Sequence, residues 1–124
     1  MYQVSVEGHF DAAHFLRDYG GKCEKLHGHR FKVVVTVKSS KLNPSGLAYD
    51  FVELKHHLDT VLNKYDHASL NDITPFNKIN TSSENIAVAV YNQLKGRFHG
   101  RVALVNVQVW ESPQSWVTYS HEGD

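Results

Sequence analysis

From Tyr2 to Phe10 the even positions Tyr2, Val4, Val6, Gly8 and Phe10 are apolar or small, while the odd positions are mostly polar. A period of two marks a strand with one covered face. The period returns at His27, where the odd positions run His27, His29, Phe31, Val33, Val35 and Val37, predicting a second strand from His27 to Lys38. The stretch "SSKLNPSGL" then gathers the Ser, Asn, Pro and Gly that turns use. After it the period lengthens. Asp50 and Glu53 form a capping-box pattern, and Phe51, Leu54, Leu58, Val61, Leu62 and Tyr65 recur at helical spacing. A helix of about four turns is predicted there.

"YDHASLNDITPFNKIN", from Tyr65, has no sustained period and contains Pro75, so it is predicted to be a loop with ordered polar residues. Thr81 with Glu84 repeats the capping box, and Ile86, Ala87, Val90, Tyr91 and Leu94 give a second helix its buried stripe up to Gly96. Val102 to Glu111 and Trp116 to His121 are predicted strands, separated by a turn around "SPQS". The order is ββααββ. Because the helices interrupt the strands rather than alternate with them, the expected fold is α+β, an antiparallel sheet with two helices on one face. No repeat, linker or low-complexity segment divides the 124 residues, so a single domain over 1–124 is expected.

Thirteen basic and thirteen acidic residues cancel, which argues against a nucleic-acid partner held by a strong field. No apolar run approaches the roughly 20 residues that span a bilayer. The N-terminus lacks the basic head and apolar core of an export signal. These features predict a soluble, cytoplasmic protein with no membrane partner. Cys23 is the sole cysteine, so no internal disulfide exists and the thiol is left for chemistry. Nine histidines are many for this length.

Two of them carry the first chemical signal. His27 and His29 share the covered face of their strand, and a His-x-His pair so placed supplies two zinc ligands, with Gly28 leaving room between them. Taken alone, the pair serves equally well to fill a partly exposed strand end. His14 shifts the balance, because hairpin-related strands place it beside the start of the second strand. Three histidines with an open position describe a catalytic zinc site, and a fourth ligand closes it. Cys23 is the candidate for closure; a thiolate near a divalent cation can equally act as base or nucleophile. Spacing does not separate these roles. Glu111 shares parity with Val105, Val107 and Val109, placing a carboxylate at the end of an inward apolar row. Such a group suits a ligand with adjacent N–H donors, as on the amino-pyrimidine edge of a pterin or guanine. A strand-end Glu that reaches solvent is the competing reading. Asp66–His67 is either a surface turn or a pair in which the aspartate orients a histidine that exchanges protons with Cys23.

Together "FDAAH", "CEKLHGH", "DF" at Asp50, "DHASLND", "TSSENIA" and "WES" resemble the 6-pyruvoyl-tetrahydropterin synthase superfamily, nearly end to end. The spacing Cys-x-x-x-His-Gly-His resembles its carboxy-forming branch, the 6-carboxytetrahydropterin synthases. The resemblance implies a tunnelling fold, or T-fold, in ring-based homo-oligomers such as hexamers, with active sites between subunits. It implies zinc (Zn2+) on His14, His27 and His29, Cys23 as the base that takes the substrate proton, and Asp66 and His67 as a proton relay. Glu111 would grip the pterin, and Ser82, Ser83 and Glu84 would line its pocket. The implied reaction converts 7,8-dihydroneopterin triphosphate to 6-carboxy-5,6,7,8-tetrahydropterin, acetaldehyde and triphosphate, feeding queuosine (7-deazapurine) synthesis. Glu24 is a departure: Glu-x-x-His-Gly-His resembles a subgroup that cleaves dihydroneopterin in folate synthesis. The rival products are 6-pyruvoyl-tetrahydropterin and 6-hydroxymethyl-dihydropterin, and the rival class is a non-catalytic oligomeric module whose zinc is closed by Cys23.

Overall fold

The computed structural model describes residues 1–17 and 25–121. Two long strands, β1 (Tyr2–His14) and β2 (His27–Ser39), pair antiparallel from Tyr2 opposite Ser39 to His14 opposite His27. The period-two pattern sets their faces: Phe10, Ala12 and His14 on β1 and Phe31, Val33, Val35 and Val37 on β2 are all buried. Strand β1 outlasts the stretch expected of it because "DAAH" continues the alternation, sending Ala12 and His14 inward.

Helix α1 (Phe51–Leu62) starts where expected, with Asp50 Oδ1 accepting from the Val52 N–H at 2.8 Å. Its twelve residues make about three turns, so the helix is shorter than its apolar spacing suggested. Leu54, Leu58, Val61 and Leu62 face the core, whereas Phe51 is 61% exposed and Tyr65 enters the core from beyond the helix end. Helix α2 (Ser83–Leu94) is capped one residue later than its sequence pattern indicated. Ser82, not Thr81, accepts from the Asn85 N–H at 3.1 Å. The Thr81 hydroxyl is engaged elsewhere, donating to the Phe15 carbonyl at 3.0 Å and lying 2.9 Å from His14 Nδ1.

The remaining strands are β3 (Ala68–Ser69), β4 (Val102–Ser112) and β5 (Ser115–Tyr119), and the sheet order is β3-β1-β2-β4-β5. The four long strands run antiparallel, and the helices join their covered face to one core, as an α+β fold requires. The two-residue β3 was not foreseen: it lies in the aperiodic loop and pairs parallel to β1 through Ala12 and Ala68. Strand β4 is irregular twice. Its register against β2 skips Val105, so Leu104 before and Val107 after both face inward while Val105 is only half-buried. The inward row therefore excludes Val105. Its register against β5 skips Glu111, between the Trp110–Trp116 and Ser112–Ser115 pairs. Among the described residues no helix is long and apolar enough to cross a membrane.

Helix α1 packs closely on β1 at Gly8. A Cβ there would lie 3.1 Å from Leu62 Cδ1 and 3.2 Å from Leu58 Cδ2, both on buried side chains. Gly8→Val is expected to lower the unfolding free energy by about 1–3 kcal/mol through overpacking, measured by denaturant titration.

Candidate active site

The β1–β2 register brings the three histidines together. His14 stands directly opposite His27, and Ala12 opposite His29, so all three rings fall on the covered face. Their centroids are 4.5 Å (His14–His27), 5.8 Å (His14–His29) and 6.2 Å (His27–His29) apart. Phe31 forms the floor, with its ring 5.0 Å from His14 and 4.6 Å from His29. The nitrogens show what this cluster can hold. His27 Nδ1 donates to the Lys25 carbonyl at 2.8 Å, which leaves its Nε2 with a lone pair. His14 Nε2 and His29 Nε2 are buried and have no hydrogen-bond partner. Glu111 Oε2 is 3.3 Å from His29 Nε2, close enough for an ion pair but not aligned as a hydrogen bond. Buried nitrogens without partners are costly unless something binds them. Three imidazoles on one zinc, with Zn–N near 2.0–2.1 Å, place ring centroids about 5 Å apart, a value the observed spacings bracket. The residues present fit a zinc ion.

Burial, and then the neighbouring His27, hold the His14 pKa below the ordinary histidine value. That favours the neutral ring a metal requires.

Beyond His14 the chain leaves the ladder but keeps a hydrogen-bonded partner. Asn71 Oδ1 accepts from the Phe15 N–H at 3.0 Å and Asn71 Nδ2 donates to the Phe15 carbonyl at 3.1 Å. Asn80 does the same for Arg17, at 2.9 and 3.0 Å. Two side-chain amides thus replace a strand, holding the backbone that follows His14. Asn71, Asn80 and Thr81 are site residues that periodicity missed. Their signal was present as small polar residues in a loop too long to be idle.

Glu111 sits at the second irregularity of β4, which turns its carboxylate toward α2. Ser83 Oγ donates to Glu111 Oε1 at 2.7 Å. Ser82, Ser83, Glu84 and Glu111 line one cavity of about 220 Å³ with Leu16 and Trp116. All four expected pocket residues therefore meet.

Asp66 and His67 do meet each other, but elsewhere. His67 Nδ1 is 3.1 Å from Asp66 Oδ2, and Asp66 Oδ1 accepts from the Asp11 N–H at 2.9 Å. The latter bond is the main reason the Asp66 pKa is lowered. Asp11 faces away from the helices and takes Arg30 in a bidentate pair at 2.8 and 3.0 Å. The dyad thus belongs to the open side of the sheet, with Asp11 as its partner rather than the histidine cluster. Ligand atoms of Asp11, Asp66 and His67 lie within 4.8 Å of one another. Their carboxylates are already engaged by a guanidinium and a backbone N–H, so this group fits a cation less well than the buried imidazoles do. Cys23 and Glu24 lie outside the described residues.

The family model described as 6-pyruvoyl tetrahydropterin synthase matches residues 3–122. The chain belongs to this family. Its fold is the family's T-fold: the structure of 6-pyruvoyl tetrahydropterin synthase from Caenorhabditis elegans matches with a TM-score of 0.82 at 29% identity, over 98% of each chain. The 6-carboxy-5,6,7,8-tetrahydropterin synthase of Haemophilus influenzae is 32% identical, over 96% of this chain and 99% of that one. A dihydroneopterin monophosphate aldolase of Pyrococcus furiosus is 34% identical, over 88% and 89%. Family members so named are pterin enzymes.

Two outcomes follow from this geometry. Folding favours neutral His14, so its stabilisation is complete above the unfolded value of about 6.5 and is lost as pH falls below it toward the lowered folded value. Denaturant titration of metal-free protein is expected to show lower stability at pH 5.5 than at 7.5, with a smaller loss in His14→Gln; an equal loss in both would assign the effect to other groups. Asn71→Leu should cost about 1–3 kcal/mol by stranding the Phe15 N–H, as measured by thermal and chemical unfolding.

Proposed function

We propose that the protein is a zinc-dependent 6-carboxy-5,6,7,8-tetrahydropterin synthase that acts on 7,8-dihydroneopterin triphosphate in the cytoplasm and feeds 7-deazapurine synthesis. The observation that carries this reading is the position of Glu111, whose Oε1 accepts from Ser83 inside the lined cavity while its Oε2 lies 3.3 Å from His29 Nε2. A pterin gripped there by its amino-pyrimidine edge has the metal cluster as its neighbour. The Haemophilus relative's name supports the carboxy product.

In this mechanism Glu111 accepts from the N–H donors of the pterin, and Ser83 orients the carboxylate. His14, His27 and His29 would hold zinc through imidazole nitrogen. When bound, the ion supplies Lewis acidity toward the substrate's side-chain hydroxyls. Cys23 takes the C1′ proton as thiolate. The electron pair of that C–H bond passes into the ring, which is protonated by the relay of Asp66 and His67. The carbonyl that results at C1′ makes the C2′ proton acidic, so that its loss expels triphosphate from C3′; a water then adds to C1′, supplying the second carboxylate oxygen as the C1′–C2′ bond breaks, and C2′ takes a proton and leaves as acetaldehyde. Because the dyad belongs to the open side of its own sheet, it serves this role for a neighbouring copy, in a homo-oligomer with sites between subunits.

A second reading is favoured by Glu24, which creates Glu-x-x-His-Gly-His, and by the aldolase-named relative: cleavage of a dihydroneopterin to 6-hydroxymethyl-dihydropterin.

Zinc-loaded protein incubated with 7,8-dihydroneopterin triphosphate is expected to yield 6-carboxytetrahydropterin by product mass spectrometry. Chelation should abolish turnover, and Cys23→Ala should lower kcat by about 10²-fold or more, with Glu24→Gln nearly unchanged. A hydroxymethyl or pyruvoyl product would replace the assignment, and no turnover with full metal occupancy would favour a structural zinc module.

A further inference from the structure

The loop before α2 brings one buried hydroxyl to the histidine cluster. Thr81 is 0% exposed, and its Oγ1 lies 2.9 Å from His14 Nδ1 and 3.0 Å from the Phe15 carbonyl oxygen. A hydroxyl has one proton to give and two lone pairs to receive with. A carbonyl oxygen can only accept, so the Thr81 proton goes to Phe15 and the oxygen is left to accept from His14. The ring must then carry its proton on Nδ1, and Nε2 presents a lone pair. That Nε2 is the buried atom left without a partner, in the ring packed against both His27 and His29.

The other tautomer does worse by simple count. With the proton on Nε2, Thr81 would turn its own proton to Nδ1 and lose the Phe15 bond, and a buried N–H would have no acceptor. The Nδ1–H form keeps both bonds, whereas the Nε2–H form keeps one. The surrounding structure fixes this choice, because Asn71 holds Phe15 at both N–H and carbonyl, and Ser82 takes over the cap of α2 that Thr81 would otherwise have supplied. His27 has a matching device in its bond to the Lys25 carbonyl, so both rings offer Nε2.

We propose that Thr81 is a positioning residue that selects the Nδ1–H tautomer of His14 and so presents His14 Nε2 as a ready-made metal ligand. The link to metal rests on the three-histidine zinc site proposed above; the tautomer assignment stands without it. Outer partners of this kind typically change metal affinity by about 10–100-fold when removed.

The test uses the full-length protein labelled with ¹⁵N-histidine. In the metal-free wild type, two-bond ¹⁵N–¹H spectra are expected to show His14 protonated on Nδ1 at neutral pH. Thr81→Val should mix or invert that tautomer and weaken zinc binding by about 10–100-fold in competition with a chromophoric chelator, while Thr81→Ser, which restores the hydroxyl, should recover the wild-type spectrum and bind within a few-fold of it. A purely structural role for Thr81 would leave the tautomer unchanged. The inference is overturned if wild-type His14 carries its proton on Nε2, a result that needs no variant to fold, or if Thr81→Val keeps both the tautomer and the affinity. If wild-type protein binds no zinc, the metal site itself fails, and the spectrum still decides the role of Thr81.

Discussion

The pairing of His14 with His27 across the β1–β2 ladder is the constraint on which the site depends. Side chains alternate faces along a strand, so a slip of one residue would turn either strand's histidines out of the covered face. The slip is opposed along the whole length of the two strands. Phe10 stacks on Phe31 at 5.0 Å, Gly8 admits α1, and Val33, Val35 and Val37 are buried in the core the sheet shares with the helices. The same hydrophobic burial that stabilises the sheet thus sets where three imidazoles meet.

What the ladder cannot do is hold the chain after it ends. That falls to the loop between the helices, whose polar side chains stand in for a strand. Asn71 and Asn80 each satisfy both backbone groups of one residue, and Thr81 takes the second lone pair of the Phe15 carbonyl. A buried loop would otherwise leave N–H and C=O groups without partners. The arrangement also couples the two halves of the site, since Thr81 touches His14 and the adjacent Ser82–Ser83 pair opens α2 and reaches Glu111.

Periodicity carried the fold a long way. It placed β1 as far as Phe10, β2, both helices, the chain order of the long strands and the covered face of His27 and His29, while His14 came from the expected hairpin and Glu111 was open between an inward and a solvent-facing position. It failed where a partner distant in sequence decides the outcome. Val105 has the parity of an inward residue, but β4 takes one extra residue against β2 there and the phase resets. Thr81 has the spacing of a cap, but the Phe15 carbonyl and the His14 ring, 66 and 67 positions away in the chain, hold its hydroxyl. The two residues of β3 are too few to show any period, and their pairing depends on where β1 ends. Sequence left Asp66–His67 open between a surface turn and an orienting pair, and could not reveal that its anchor is the main chain of Asp11 on the sheet's open side.

That side has its own logic. Arg30 locks Asp11, Asp11 and Asp66 share a backbone bond, and His67 extends outward, its side chain 80% exposed and its backbone at φ 58. A non-glycine residue held in the left-handed region is uncommon and persists where its surroundings fix it. Here the surroundings are the His67 N–H bond to the Asp11 carbonyl and the Asp66 carboxylate, which together fasten the loop to β1. The fastening explains the backbone of His67 but not its imidazole, which contributes little burial to its own chain. The imidazole is oriented by the Asp66 carboxylate and left open to solvent. The covered face of the same sheet holds the other groups, three imidazoles beside the cavity that Ser83 and Glu111 line. One sheet thus keeps the dyad and the histidine cluster on opposite faces, and under the proposed function that separation is what calls for a second copy.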